Sequence, residues 1–246
     1  MTLSISKYVT YNLKELLKKG YLVIGLLGAC IPAIIVTYFI LHNSTPFNIK
    51  YVSNFYCMLG MLAAVLLPLY FITLYFINRD YSTKTISLIN NSVQNRRNYC
   101  FANGIIALSV SLLFTMTGIV LLLVAKTLEV PGDLKLSFLA GFSVNVFLLV
   151  MTYFLLGYIL FLYGVRSGAV YGILTALLLF FPNMLFNIQK TIHNEFLLEL
   201  IENFPGYYYP VMVGSNPLSP LQYSIGCLAL IVLFVVVLKK SEKIEV

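Results

Sequence analysis

An all-α membrane protein with six transmembrane helices is the fold class this sequence predicts, and three observations predict it. First, 60% of the 246 residues are hydrophobic and only 10% are charged, with a mean hydropathy of +0.90. Soluble domains carry roughly 25% charged residues, so this chain could not cover a water-facing surface. Second, six apolar stretches, at about 21–41, 53–77, 101–125, 138–163, 169–187 and 218–238, contain no Asp, Glu, Lys or Arg. Each approaches or exceeds the ~20 residues that cross the hydrocarbon of a bilayer. Third, Lys and Arg are unevenly divided among the segments between them. A soluble enzyme, a disordered chain and a coiled-coil fibre are excluded. Strand-length alternation is absent, which excludes a transmembrane barrel. The spans are therefore helices, because each backbone polar group then finds its partner within its own segment.

The charge division sets the orientation. Lys7, Lys14, Lys18, Lys19, Arg79, Lys84, Arg96, Arg97, Arg166, Lys239, Lys240 and Lys243 fall on the side of the two termini, and Lys50, Lys126, Lys135 and Lys190 on the other. Positive residues are retained inside, so both termini are expected in the cytoplasm, and the whole chain is expected to form one transmembrane domain, 1–246. The +7 net charge reads as an insertion signal, and no nucleic-acid partner is expected.

The first twenty residues lack the form of a cleavable signal peptide. Ile5, Tyr8, Val9, Leu13, Leu16 and Leu17 recur at helical spacing, with Lys7, Lys14 and Lys18 on another face. An interfacial helix on the inner membrane surface is the expectation; a frayed tail is the alternative.

Chemistry is conspicuous by what is missing. No G-x-x-x-x-G-K-[ST] phosphate loop and no H-E-x-x-H motif occurs. His42 and His193 stand in separate loops, and Cys30, Cys57, Cys100 and Cys227 have no metal-ligand spacing. No catalytic residue, metal or cofactor is expected in this chain. Proton-coupled transport places titrating groups in the membrane, and the spans hold none. Sodium coupling through unwound helices has only Pro32, Pro68 and Pro182 as hints, and ordinary proline kinks, common in spans, are the preferred account of these. Energy for uphill movement would then come from another polypeptide.

The longest inner loop, 78–99, offers a place for that partner. Asp80 or Ser82 is positioned to cap a short helix, Ile86 and Ile89 give it an apolar side, and Asn90-Asn91-Ser92 ends it. A short amphipathic helix fixed between two spans can seat in a groove of a soluble partner. A solvated loop is the other reading of the same spacing.

At these residues the chain resembles a family. Asp80, Lys84-Thr85, Leu88-Ile89, Ser92-Val93 and Arg96-Arg97 follow the order and rough spacing seen after the second span of type 2 ABC-transporter export permeases. Asp stands where Glu is more usual, and Lys84 where Gly is more usual. The likeness extends to the N-terminal surface helix, the six spans and the long outer segment between spans five and six. It implies that 80–91 is a coupling helix, with Asp80, Tyr81, Lys84, Thr85, Ile86, Leu88 and Ile89 meeting a separate nucleotide-binding ATPase subunit. ATP and Mg would be bound there and not in this chain. It further implies a two-plus-two assembly with a second permease copy. Within the family the chain looks most like small bacterial cell-membrane permeases that export amphipathic peptides, including exporters of phenol-soluble modulins, which also confer immunity to these toxins.

The outer segment 188–204 reads as an amphipathic helix. Ile188, Ile192, Phe196, Leu197, Leu200 and Ile201 form one side, and Glu195, Glu199 and Glu202 the other. This acidic side is either an exit surface for a cationic peptide or a solvated face. Pro205-Gly206 and Tyr207-Tyr208-Tyr209-Pro210 follow, expected as turns and an aromatic belt; the family likeness implies a re-entrant hairpin.

Small residues mark helix packing: Gly25, Ala29 and Ala33 in the first span, and Ala169, Gly172 and Ala176 in the fifth. The likeness implies a dimer interface that uses both, although the spacing leaves packing within one chain equally open. Ser111, Thr115 and Gly118 read as packing in the third span. Asn145, Thr152, Tyr153 and Thr175 are mildly polar positions able to line a pathway for an amphipathic peptide. Two rival functions are a peptide-sequestering immunity membrane protein without transport and a lipid-modifying enzyme, for which clustered acidic or histidine residues are missing.

Overall fold

The computed structural model describes residues 2–42, 72–89, 91–212 and 218–243. Among them every regular element is a helix. Five, α2 (Tyr21–His42), α5 (Val93–Thr127), α6 (Leu136–Leu162), α7 (Ser167–Thr191) and α10 (Pro220–Glu242), are long and apolar enough to cross a membrane. This is an all-α, multi-pass membrane protein. Most of the predicted second span, together with Cys57, Lys50 and Pro68, lies outside the described residues; its end leads into α3 (Tyr75–Ser82).

The long helices start where capping chemistry starts them, not where hydropathy does. Helix α5 begins eight residues ahead of the apolar run, because Ser92 accepts from the Asn95 backbone N–H and the polar turn 93–100 extends the span beyond its hydrophobic part. Helix α10 opens on a capping box of Ser219 and Gln222 with Pro220 in its first turn. Helices α2 and α7 continue through Pro32 and Pro182, so neither proline unwinds its span.

Helix α6 is the axis of the bundle. It packs against α10, α5, α7 and α3, and its own buried residues include the bulky Phe142, Val146, Leu149, Phe154, Tyr158 and Phe161. Gly157 admits Leu74, just ahead of α3, and Leu174 of α7 against its backbone.

The N-terminal helix α1 (Ile5–Lys18) forms as its amphipathic spacing predicts, but part of its apolar side is covered by protein. Leu16 is fully buried, and Leu3, Tyr8, Val9 and Leu13 pack against the core. Its start follows the start of α5: Leu3 N–H donates to Asn95 Oδ1 at 2.7 Å, and Asn98 Nδ2 donates to the Leu3 carbonyl at 2.9 Å. Gly20, at φ +72°, turns the chain from α1 into α2, a conformation in which a Cβ would be strained.

The segment after α7 departs from expectation. The expected single helix over 188–204 is two pieces: α7 runs to Thr191, and α8 (Glu195–Glu202) restarts on Asn194, whose side chain accepts from the Phe196 and Leu197 N–H groups. Ile188 and Ile192 therefore do not share a helix face with Phe196 and Leu200. The expected turns at 205–210 are helix α9 (Pro205–Met212). Proline favours a helix's first position, where no N–H partner is needed. Tyr208 and Tyr209 are buried as α9 packs onto α7, α6 and α10, so these rings do not form a surface belt.

Candidate functional site

The end of the bundle that carries α1 and the last turn of α10 brings together the ion pairs of Glu15, Lys19, Arg79 and Asp80 and that of Arg97 with Glu242. Helix α3 ends at Thr83, and Lys84 adopts φ +58°, a left-handed turn that stops the helix. One further helical turn, α4 (Ile86–Ile89), follows before α5. The expected continuous helix over 80–91 is thus an elbow: the last turns of α3, a left-handed bend and a single turn. Residue 90 lies outside the described residues.

Asp80 neither caps a helix nor faces solvent. It sits inside α3 and is only 1% exposed. Tyr8 Oη donates to Asp80 Oδ2 at 2.7 Å and Tyr99 Oη donates to the same oxygen at 3.1 Å. Arg79 Nε donates to Asp80 Oδ1 at 2.8 Å. The Arg79 guanidinium also reaches Glu15 on α1 at 2.6 Å, and Glu15 takes Lys19 on its other oxygen at 2.7 Å. Lys19 Nζ donates in turn to Tyr75 Oη at 3.0 Å. Edge-to-face contact between the Tyr8 and Tyr99 rings, with centroids 5.6 Å apart, closes the cluster.

The electrostatics follow from this wiring. Burial and then the Asp80 charge push the Tyr8 hydroxyl up, so it remains a donor. Burial alone would raise the Glu15 carboxyl, but Lys19 and Arg79 outweigh it and hold the group below its ordinary range. Burial opposes the charge on Arg79, and Asp80 and Glu15 more than restore it. A buried carboxylate whose oxygens are engaged by a guanidinium and two hydroxyls is tolerated because its hydrogen-bonding capacity is used. The result is a brace fixing α1 to the elbow and to α5.

The elbow's outer residues are of another kind. Leu88 is 78% exposed, while Ile86 and Ile89 are half-buried and packed on the core. Tyr81 is half-buried with its ring 6.0 Å from that of Phe161. Thr85 is half-buried, and Lys84 is exposed. A groove of about 600 Å³ beside the elbow is lined by Leu3, Tyr8, Tyr11, Leu88, Ile89 and Asn95, among others. A second tie comes from the C-terminal helix: Arg97 pairs with the Glu242 carboxylate at 2.6 Å, and Arg96 donates to the Glu242 carbonyl at 2.7 Å.

The remaining predicted positions divide between packing and exposure. Gly25 faces Ile72 and Phe114 and Ala33 is buried, so this face of the first span packs within one chain. Ala29 lies on α2, and its side chain is outside the described residues. Gly172 and Ala176 are exposed on α7, and a Cβ on Gly172 would meet nothing within 4 Å. Asn145, Thr152 and Tyr153 are buried on α6; Tyr223 Oη donates to Asn145 Oδ1 at 3.1 Å. Half-buried Thr175 donates to the Tyr171 carbonyl of its own helix at 2.8 Å. Ser111 and Thr115 are buried, with Thr115 Oγ1 donating to the Ser111 carbonyl at 2.9 Å. Glu195 and Glu199 are exposed on α8, while exposed Glu202 accepts from Gln189 Nε2 at 2.8 Å.

The sequence reading missed Glu15 and Arg79. Both left a signal: Glu15 is the one acid in a lysine-bearing amphipathic helix, and Arg79-Asp80 is an opposite-charge pair at the end of an apolar span. Among the described residues no group of three or more His, Cys, Asp or Glu is placed to hold a metal ion. No protein-family model matches the chain, and no curated protein matches it.

Proposed function

We propose that this chain is the membrane-spanning permease subunit of an ATP-driven exporter of the type 2 ABC class. In this reading it has six spans with both termini in the cytoplasm of a bacterial cell. Two copies form the pathway, and two copies of a separate ATPase, carrying ATP and Mg, grip the elbows. The cargo is an amphipathic, membrane-active peptide of the phenol-soluble modulin type, and its export protects the producing cell. No catalysis is assigned to this chain.

The observation that carries the reading is the elbow at 83–89. An exposed leucine stands on a single helical turn held between α3 and the long helix α5, and the brace of Glu15, Arg79 and Asp80 backs it. A push on Leu88 is therefore delivered to the ends of α3 and α5 and to α1 together. The backbone adds a second support: Lys84 has a left-handed φ at the position where the family more often has glycine, the residue suited to that conformation.

Leu88→Asp tests the assignment. Leu88 is exposed, so the substitution leaves folding and membrane insertion intact, while a charge in an apolar docking contact abolishes co-purification with the ATPase. Stoichiometric co-purification of the variant would overturn the coupling role. Peptide efflux from vesicles that requires both the ATPase and ATP separates an exporter from a sequestering immunity protein.

A further inference from the structure

At the end of the bundle away from the termini, four helices converge on a small polar cavity. It measures about 250 Å³ and is lined by Gln189 of α7, Glu202 of α8, Tyr207, Tyr208 and Val211 of α9, and Gln222 of α10. We infer that this cavity is a subsite for a primary alkylammonium group, with the Glu202 carboxylate as its counter-ion.

The hydrogen bonds leave one strong acceptor available there. Tyr207 Oη donates to Gln189 Oε1 at 2.8 Å, and Gln189 Nε2 donates to Glu202 Oε1 at 2.8 Å. Gln222 Nε2 donates to the Glu202 carbonyl at 3.0 Å, its Oε1 accepts from Ser219 N–H at 3.0 Å, and Tyr208 Oη donates to the Gln222 carbonyl at 2.8 Å. Both glutamine side chains are thereby used at both ends and held still. The second oxygen of Glu202 has no hydrogen-bond donor among the described residues, and no Lys or Arg among them pairs with this carboxylate. A neutral scaffold thus orients a single anion.

The backbone field has the same sign. Glu202 closes α8, whose last turn carries no basic residue, and Gln189 lies in the last turns of α7. Helix C-termini carry partial negative charge, so two of them point toward the cavity. The nearest cation in sequence, Lys190, has its ammonium 4.1 Å from the centre of the Phe186 ring. Tyr207 and Tyr208 supply aromatic walls, which favour a cation over a neutral group. The volume holds one alkylammonium head and a few methylenes, and not a folded peptide. Glu199 and Glu195 lie one and two turns back on α8.

This inference rests on the export reading only for the source of the ammonium, which is either a lysine of the cargo or the headgroup of an amino-lipid. The test uses the full chain in phosphatidylcholine–phosphatidylglycerol nanodiscs. Esterification of each glutamate by a diazoacetamide, which leaves amines untouched, is followed by peptide mass spectrometry, with and without n-butylammonium chloride. Butylammonium is expected to slow labelling of Glu202 by at least about fivefold, as a charge-assisted contact does, while equal sodium chloride does not and Glu195 and Glu199 are unaffected. Gln189→Met, which keeps the bulk but frees the carboxylate, is expected to lose most of that protection. Equal effects on all three glutamates, or equal effects of sodium, would overturn the site. Protection by a lysine-bearing amphipathic peptide but not by its acetylated form assigns the ammonium to cargo; protection in discs containing phosphatidylethanolamine assigns it to lipid. Protection by butylammonium without protection by the peptide leaves the site standing and removes support from peptide export alone.

Discussion

The two ends of the bundle are held together by different physics. At the terminal end, charges do the joining: Glu15, Arg79 and Asp80 tie α1 to α3, and Arg97 ties α5 to Glu242 of α10. At the opposite end most ties are neutral, Tyr223 to Asn145 and Tyr208 to the Gln222 carbonyl, with Gln189 to the Glu202 carboxylate the charge-assisted one. The difference matches what each end is asked to do in the proposed cycle. Ion pairs are strong and long in reach but costly to break when buried, which suits a rigid lever. Neutral hydrogen bonds each contribute about 1 kcal/mol and can be exchanged, which suits a mouth that opens.

Four changes test that contrast. The largest effect belongs to Asp80→Ala, which strips the half-buried Arg79 guanidinium and the hydroxyls of half-buried Tyr8 and buried Tyr99 of their shared acceptor. It is expected to cost about 3–5 kcal/mol, read as a lowered midpoint of unfolding in detergent, with amide exchange of α1 accelerated first. Stability within ~0.5 kcal/mol of wild type would mean that the brace is not structural. At the other end Tyr223→Phe removes two neutral bonds, one to buried Asn145 and one from the Leu218 N–H, and a loss of about 1–2 kcal/mol is expected. A cost equal to that of Asp80→Ala would erase the distinction between the ends.

Lys84→Gly probes the elbow from the backbone side. Because Lys84 is left-handed, glycine relieves strain of the order of 1 kcal/mol and adds unfolded-state entropy, leaving a net gain of about 0.5 kcal/mol. Association with the proposed ATPase is expected to be unchanged, whereas Lys84→Val should weaken both. Acid provides the mildest test. The folded Glu15 carboxyl is held below its unfolded value, so its contribution is complete above the ordinary carboxylate range and is lost as pH falls through the folded value. Exchange protection of α1 should therefore decline with acidification before that of α9. Uniform decline at both ends would show that Glu15 carries no special share.

What could be read from the chain alone varied with the kind of signal. The apolar runs at 21–41, 138–163 and 169–187 appear as α2, α6 and α7, within a few residues, because hydropathy is a local property that survives any packing. The start of α5 was misjudged because residues 93–100 are polar yet helical, and the Ser92 cap, not hydropathy, decides that boundary. The break at 192–194 carried its own mark in Asn194, a preferred cap residue, but the continuing apolar and acidic periodicities masked it. Of the candidate site, Leu88 and Ile89 were legible as an apolar turn. Asp80 was legible only as an acid of unknown surroundings, since its partners Tyr8 and Tyr99 lie 72 and 19 residues away.

By itself the sequence determined the environment: too few charges for water, long uncharged runs, and helices as the only way to satisfy their backbones in lipid. Periodicity and charge count are sums over neighbours in the chain, so they need no coordinates. Tertiary structure alone decided which groups meet: that Asp80 turns inward to α1, that the tyrosines of α9 fill the bundle, and that Gly25 packs inside one chain while Gly172 remains open. Those outcomes depend on pairings across tens of residues, where the cost of burying a charge or a hydroxyl is set by whichever partner the fold brings to it.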